Sequence, residues 1–242
     1  SDVCSSDLWI WMLERLIFTA IIGYMLIVQI FNAKLIRPLI ETRGRAWVYE
    51  QTVKSAWGLT LLIVALIFLF QVPSAEVGLT FAPEAGNEQA WQVFYLSCIL
   101  VTVTLVFYLL VKTSARLRHV LRPYYELDLE KLLLPRTKPE EQAWGAVSVT
   151  AGVTEEFIFR GVLLYTISLY IEVPDLTLAL IGGALFGVAH AYQGIKGVFM
   201  TGIVGFGLGI LYLGMGVLWP VMVLHVLLDL IAGPIHVDAK SE

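Results

Sequence analysis

Seven apolar segments, each close to the length of a membrane helix, dominate this chain. A helix needs roughly 20 mostly apolar residues to cross a hydrocarbon core about 30 Å thick. The segments run over about Trp9–Phe31, Ala56–Val72, Trp91–Val111, Trp144–Tyr170, Leu176–Tyr192, Gly197–Leu213 and Val217–Ala232. In lipid a backbone must satisfy its own hydrogen bonds, so such segments can only be helices. Composition agrees: 58% of the 242 residues are hydrophobic and 15% charged, against about 25% charged in soluble domains. The expected fold is an all-α, polytopic membrane helix bundle of about seven transmembrane helices. A net charge of −4 argues against a nucleic-acid partner. Two cysteines, Cys4 and Cys98, build neither a disulfide framework nor a cysteine metal site.

Lysine and arginine set the expected orientation. Lys34, Arg37, Arg43, Arg45 and Lys54 follow the first segment. Lys112, Arg116, Arg118, Arg122, Lys131, Arg136 and Lys138 follow the third. The connections at Pro73–Ala90 and Glu172–Asp175 carry none. Lys196 and Lys240 fall on the basic side again. The expectation is a multi-pass protein of the cell membrane, with basic loops and C-terminus cytoplasmic. Residues 1–8 resemble a translated sequencing-adapter read and are set aside as an expected artefact. The expected organisation is then three helices over 9–121, a charged cytoplasmic connector over 122–143, a core of four helices over 144–233 and a tail over 234–242.

Ionisable side chains at membrane depth cost roughly 2.5–3.5 kcal/mol each on insertion scales, which makes them functional candidates. Glu14 and Arg15 lie near the start of the first segment and are expected to reach the interface. The fourth segment holds Glu155, Glu156 and Arg160. Glu156 and Arg160 are four apart and share a helix face in the better ion-pair order. Glu155 points about 100° away, so one carboxylate can be neutralised while its neighbour stays available. In the fifth segment Phe186 lies one turn before His190, among small residues that admit a neighbouring helix. In the seventh, His225 and Asp229 share a face, and Asp229 is placed to orient the imidazole. Gly202, Gly205, Gly207 and Gly209 read as a packing face. At 1.5 Å per residue, Glu155 lies roughly 16 Å and His225 roughly 12 Å inside their segments, with His190 nearer the cytoplasm. These depths allow one cavity in the inner half of the bilayer. His119 and His236 fall in cytoplasmic regions and read as incidental.

Glu155-Glu156…Arg160, then Phe186…His190, then His225…Asp229, on successive membrane helices, resembles the CPBP family of intramembrane proteases. That family includes the type II CAAX prenyl endopeptidases and bacterial relatives linked to bacteriocin self-immunity. The likeness covers about residues 140–233 and extends to Ala191-Tyr192-Gln193-Gly194 and Leu218-Trp219-Pro220. Aspartate stands at 229 where the eukaryotic enzymes carry asparagine. The resemblance implies an active-site cavity open toward the cytoplasm and an endopeptidase acting on a membrane-embedded or lipid-anchored protein or peptide. It implies Glu155 as the group that activates water, His190 and His225 as essential histidines, and Glu156 with Arg160 as a supporting pair.

Two mechanisms fit these residues. Glu155 acts as a general base with the histidines assisting, or His190, His225 and Glu155 bind a divalent metal, most simply zinc. No H-E-x-x-H element, G-x-S-x-G element or P-loop occurs. Two other functions compete with the peptidase. One is a non-catalytic immunity or scaffold protein of the same family; the other is a small transporter whose buried acids relay ions.

Overall fold

The computed structural model describes residues 5–32, 34–125 and 133–237. Every element of regular structure among them is helical. The long elements are α1 (Ser5–Asn32), α3 (Arg45–Phe70), α4 (Glu88–Thr113), α6 (Lys138–Glu156), α8 (Asp175–Ala189), α9 (Gly194–Met215) and α10 (Trp219–His236). Short helices α2 (Ile36–Arg43), α5 (Ala115–Leu121) and α7 (Leu163–Ser168) join them. Between α6 and α7 the chain makes a π-helical turn, Phe157–Val162.

By length and composition, four helices qualify as membrane spans: Trp9–Phe31, Arg45–Phe70, Glu88–Thr113 and Ala191–Met215. Asp175–Ala189 and Trp219–Ile235 are apolar but shorter. The fourth expected segment forms as α6, the π turn and α7, and its charges keep it out of that set. The fifth does not run through to Tyr192: helix α8 stops at Ala189, and a 3-10 turn takes over at Ala191–Gln193. His190 therefore caps a helix end. Of the eight residues set aside, Ser5–Leu8 open α1; residues 1–4 with Cys4, residues 126–132 with Lys131, and 238–242 with Lys240 lie outside the described residues.

Local chemistry explains several boundaries. The Asn87 side chain accepts from the Ala90 N–H at 3.0 Å and starts α4. Thr137 and Glu140 form a reciprocal capping box at the start of α6, with Pro139 in its first turn. The connection before α4 folds back over the start of α10, where Leu218 N–H donates to the Gly78 carbonyl at 3.0 Å. Gly78 has φ +68°, and a Cβ there would meet the Tyr212 ring at 2.4 Å. Only glycine satisfies both conditions.

Helix association in lipid depends on close packing and hydrogen bonds rather than on the hydrophobic effect. The closest pair is α8 with α9. A Cβ on Gly183 would lie 2.7 Å from Phe206 N, and one on Gly187 would lie 2.4 Å from Val198 O. Helix α10 packs along α6, where a Cβ on Gly152 would lie 2.7 Å from Val226 N. Helix α4 covers α10 and α9, α3 covers α6, and α1 crosses α7 and α8. The expected glycine face of α9 needs one correction. Gly202, Gly205 and Gly209 face α8, but nothing lies within 4 Å of a Cβ on Gly207. Two residues from Gly205 is about 200° around the helix, on the opposite side.

The main core gathers Phe18 and Ile22 of α1, Ile63 of α3, Phe157, Phe159 and Val162 of the π turn, Phe186 of α8 and Val221 of α10. Glu14 does not reach the interface as expected. It is buried, and its carboxylate accepts from the Tyr165 hydroxyl at 2.5 Å. Arg15 lies over the Trp11 ring, 3.3 Å from its centre.

Candidate active site

The π turn begins directly after Glu156 and places Arg160 beside it on the inside of the bundle. Glu156 is 0% exposed and Arg160 is 2% exposed. An uncompensated charge at that depth would cost several kcal/mol, so each needs a partner, and Glu156 finds its partners through Oε1 while Oε2 has none among the described residues. Arg160 Nη1 donates to Glu156 Oε1 at 2.8 Å, as the four-residue spacing predicts. Arg160 Nη2 donates to the Gly205 carbonyl of α9 at 3.0 Å. The guanidinium carbon stands 4.4 Å above the Phe186 ring centre. Arg160 thus ties α6 to both α8 and α9.

Glu156 has a second partner that the sequence does not announce. His225 Nδ1 of α10 lies 2.6 Å from the same Oε1. A carboxylate already accepting from arginine can only accept here, so Nδ1 is the donor and Nε2 is the nitrogen left to the cavity. Asp229, expected to orient His225, lies with Oδ1 3.8 Å from Nε2, beyond hydrogen-bond range. The orienting carboxylate is Glu156. Asp229 is held through its backbone instead, its carbonyl accepting from Trp144 Nε1 at 3.0 Å.

His190 is arranged in the same way. Its Nδ1 lies 2.8 Å from the Phe186 carbonyl and must donate, since a carbonyl has no proton to give. Its Nε2 is turned to Glu155 Oε2, 3.5 Å away. That oxygen is buried and has no hydrogen-bond donor among the described residues. Phe186 sits at the centre, its ring centre 4.4 Å from that of His190, 6.0 Å from that of His225 and 5.0 Å from that of Phe159. The glycine at 205 permits this, because a Cβ there would lie 2.8 Å from Phe186 Cδ1 and 3.2 Å from Arg160 Nη2.

Glu155, Glu156, Arg160, Phe186, His190, His225 and Asp229 therefore meet in one place, joined from four helical elements. Three participants are new: Gly205 through its carbonyl, Trp144 through its indole N–H, and Glu156 as a partner of His225. The glycine run marked Gly205 as a packing residue; nothing in the sequence distinguishes its carbonyl. His119 lies on α5, away from the site.

Residues 142–231 match the family model described as type II CAAX prenyl endopeptidase Rce1-like. This is a family of intramembrane proteases, and the match spans the motifs that resemble it. No curated protein and no solved structure matches the chain.

A catalytic zinc needs three protein donors around one point. Two histidines with Nδ1 engaged and Nε2 open have the chemistry of zinc ligands. However, among the described residues no three His, Cys, Asp or Glu side chains gather closely enough to hold one ion. As arranged, the described residues do not supply three ligands to one point.

Proposed function

We propose that this protein is an intramembrane endopeptidase that hydrolyses a peptide bond in a membrane-associated protein or hydrophobic peptide. The reading includes seven crossings of the cell membrane, with basic loops and C-terminus cytoplasmic and the site in the inner half of the bilayer. The observation that carries the reading is the division of labour between two adjacent glutamates. Glu156 is committed to Arg160 and His225. Each glutamate keeps one buried oxygen, Oε2, without a donor among the described residues, but Glu155 is held by no arginine and only its Oε2 faces an open histidine nitrogen. A structural ion pair requires the first arrangement and has no use for the second.

In the proposed reaction Glu155 takes a proton from water held between its Oε2 and His190 Nε2. The hydroxide adds to the scissile carbonyl carbon. His225, as the imidazolium, donates from Nε2 to the developing oxyanion. Glu155 then returns the proton to the amide nitrogen, the C–N bond breaks, and a carboxylic acid and an amine leave. Glu156 and Arg160 are positioning residues that fix His225 and the π turn. Phe186 fixes the spacing of the two imidazoles. Asp229 borders the cavity beside His225 Nε2.

The test needs no known substrate. Membranes from cells expressing the wild-type protein and Glu155→Gln are compared by mass spectrometry of newly formed peptide termini. Termini that appear only with the wild type are expected. Identical sets, with equal amounts of folded protein, would overturn the reading and leave a non-catalytic immunity or scaffold role.

A further inference from the structure

A cleft separate from the peptidase residues opens on the end of the bundle where α4 ends, α6 begins and α10 ends. Its volume is about 350 Å³. Two lysines, Lys112 of α4 and Lys138 of α6, line it together with one acid, Glu141 of α6. Among the described residues no carboxylate lies within ion-pair distance of Lys112, and no cation within that of Glu141. Lys112 and Glu141 are opposite charges that border one cleft without pairing to each other, a property of a site for a ligand carrying both signs.

The remaining walls specify that ligand further. Pro234 stands inside α10 and also lines the cleft. It has no N–H to give the Leu230 carbonyl one turn earlier, and Leu230 lies in the same wall. The cleft thus offers a carboxylate and a released carbonyl to a donor. It also lies at the negative end of the α10 dipole, while Lys138 and the N-terminus of α6 supply the positive side. The Tyr108 ring lies under Lys112, 5.6 Å from Nζ, and Trp144 provides an aromatic wall for the body of a cation. A plain dianion would meet Glu141, and a plain cation would meet two lysines.

We infer that this cleft binds the phosphoethanolamine headgroup of a membrane phospholipid, its phosphate on Lys112 and its ammonium on Glu141 and the Leu230 carbonyl. Basic clefts between membrane helices at the cytoplasmic surface are suited to lipid headgroups. Ethanolamine is favoured over choline because both acceptors require N–H donors, which a quaternary nitrogen lacks. The lipid would stand one side chain from the peptidase cavity, since Trp144 Nε1 also holds the Asp229 carbonyl. The inference does not depend on the protein being a protease.

The test is native mass spectrometry of the purified full-length protein with equal amounts of phosphatidylethanolamine, phosphatidylcholine and phosphatidylglycerol. Soluble glycerophosphoethanolamine is run in parallel. One phosphatidylethanolamine per chain is expected to be retained in preference to the other two. Lys112→Gln and Glu141→Gln should each weaken it about tenfold, the scale of one charge-assisted hydrogen bond. Lys54→Gln, an exposed lysine paired with Glu50 on α3, should leave it unchanged. Equal retention of the three lipids, or variants indistinguishable from wild type while still folded, would overturn the inference. So would glycerophosphoethanolamine binding as tightly as the lipid, which would make the ligand a soluble phosphate ester.

Discussion

The Glu156–Arg160 pair permits a quantitative prediction through a double-mutant cycle. Both side chains are buried, at 0% and 2% exposure. Arg160→Met leaves Glu156 with His225 as its remaining donor, 2.6 Å away. The carboxylate keeps a partner, so the cost should fall near the lower end of the range for breaking a buried pair, about 3 kcal/mol. Glu156→Leu leaves the guanidinium with only the Gly205 carbonyl and should cost near the upper end, about 5 kcal/mol. Independent effects would sum to about 8 kcal/mol. The double variant instead removes both charges and orphans only His225 Nδ1, because the Gly205 carbonyl lies inside α9 and keeps its place in the helical ladder. At roughly 1–3 kcal/mol for that unsatisfied group and about 1–3 kcal/mol for fitting two new side chains into a packed site, its cost should be about 4 kcal/mol. The cycle therefore predicts a coupling of about 4 kcal/mol, with the double variant more stable than Glu156→Leu alone or close to it. Reversible unfolding in mixed micelles, titrated with a denaturing detergent, measures all four corners. Additivity within about 0.5 kcal/mol would refute the reasoning, because it would mean the two charges do not depend on one another.

Three further outcomes are expected. Gly187→Ala drives a Cβ to 2.4 Å from the Val198 carbonyl and should destabilise by about 1–3 kcal/mol; Gly207→Ala meets nothing within 4 Å and should be neutral or gain up to about 1 kcal/mol from helix propensity, both read by thermal unfolding in detergent. In a cysteine-free background, Glu84→Cys should react with an impermeant maleimide from outside intact cells and His119→Cys only after the membrane is opened; the reverse pattern would invert the proposed topology. With Glu155 as the base, the wild-type-specific termini should persist after chelator treatment, and metal analysis of the purified protein should show no stoichiometric ion that His190→Ala and His225→Ala both remove; loss of those termini on chelation would return the ion to His190, His225 and Glu155.

Much of this molecule is readable in one dimension because lipid leaves few options. Long apolar segments must be helices, and the described residues are helical throughout their regular structure, with four helices long and apolar enough to span. Relations within one helix follow from its 3.6-residue period. That period gave the Glu156–Arg160 pair and the stacking of Phe186 on His190, both found in the structure. The period fails where the helix does. Gly207 looks like part of a packing run until its angular position is counted, and α8 stops before His190, where the apolar composition runs on.

What the sequence alone determined is therefore the inventory: a helical membrane bundle, its costly buried charges and their pairing along single helices. Tertiary structure decided which charges meet across helices. His225 turns to Glu156, 69 residues away, rather than to Asp229 on its own helix. Arg160 reaches a glycine carbonyl 45 residues distant. Those choices depend on how closely helices approach, which glycine contacts and the π turn set together. No spacing within a single helix encodes that distance.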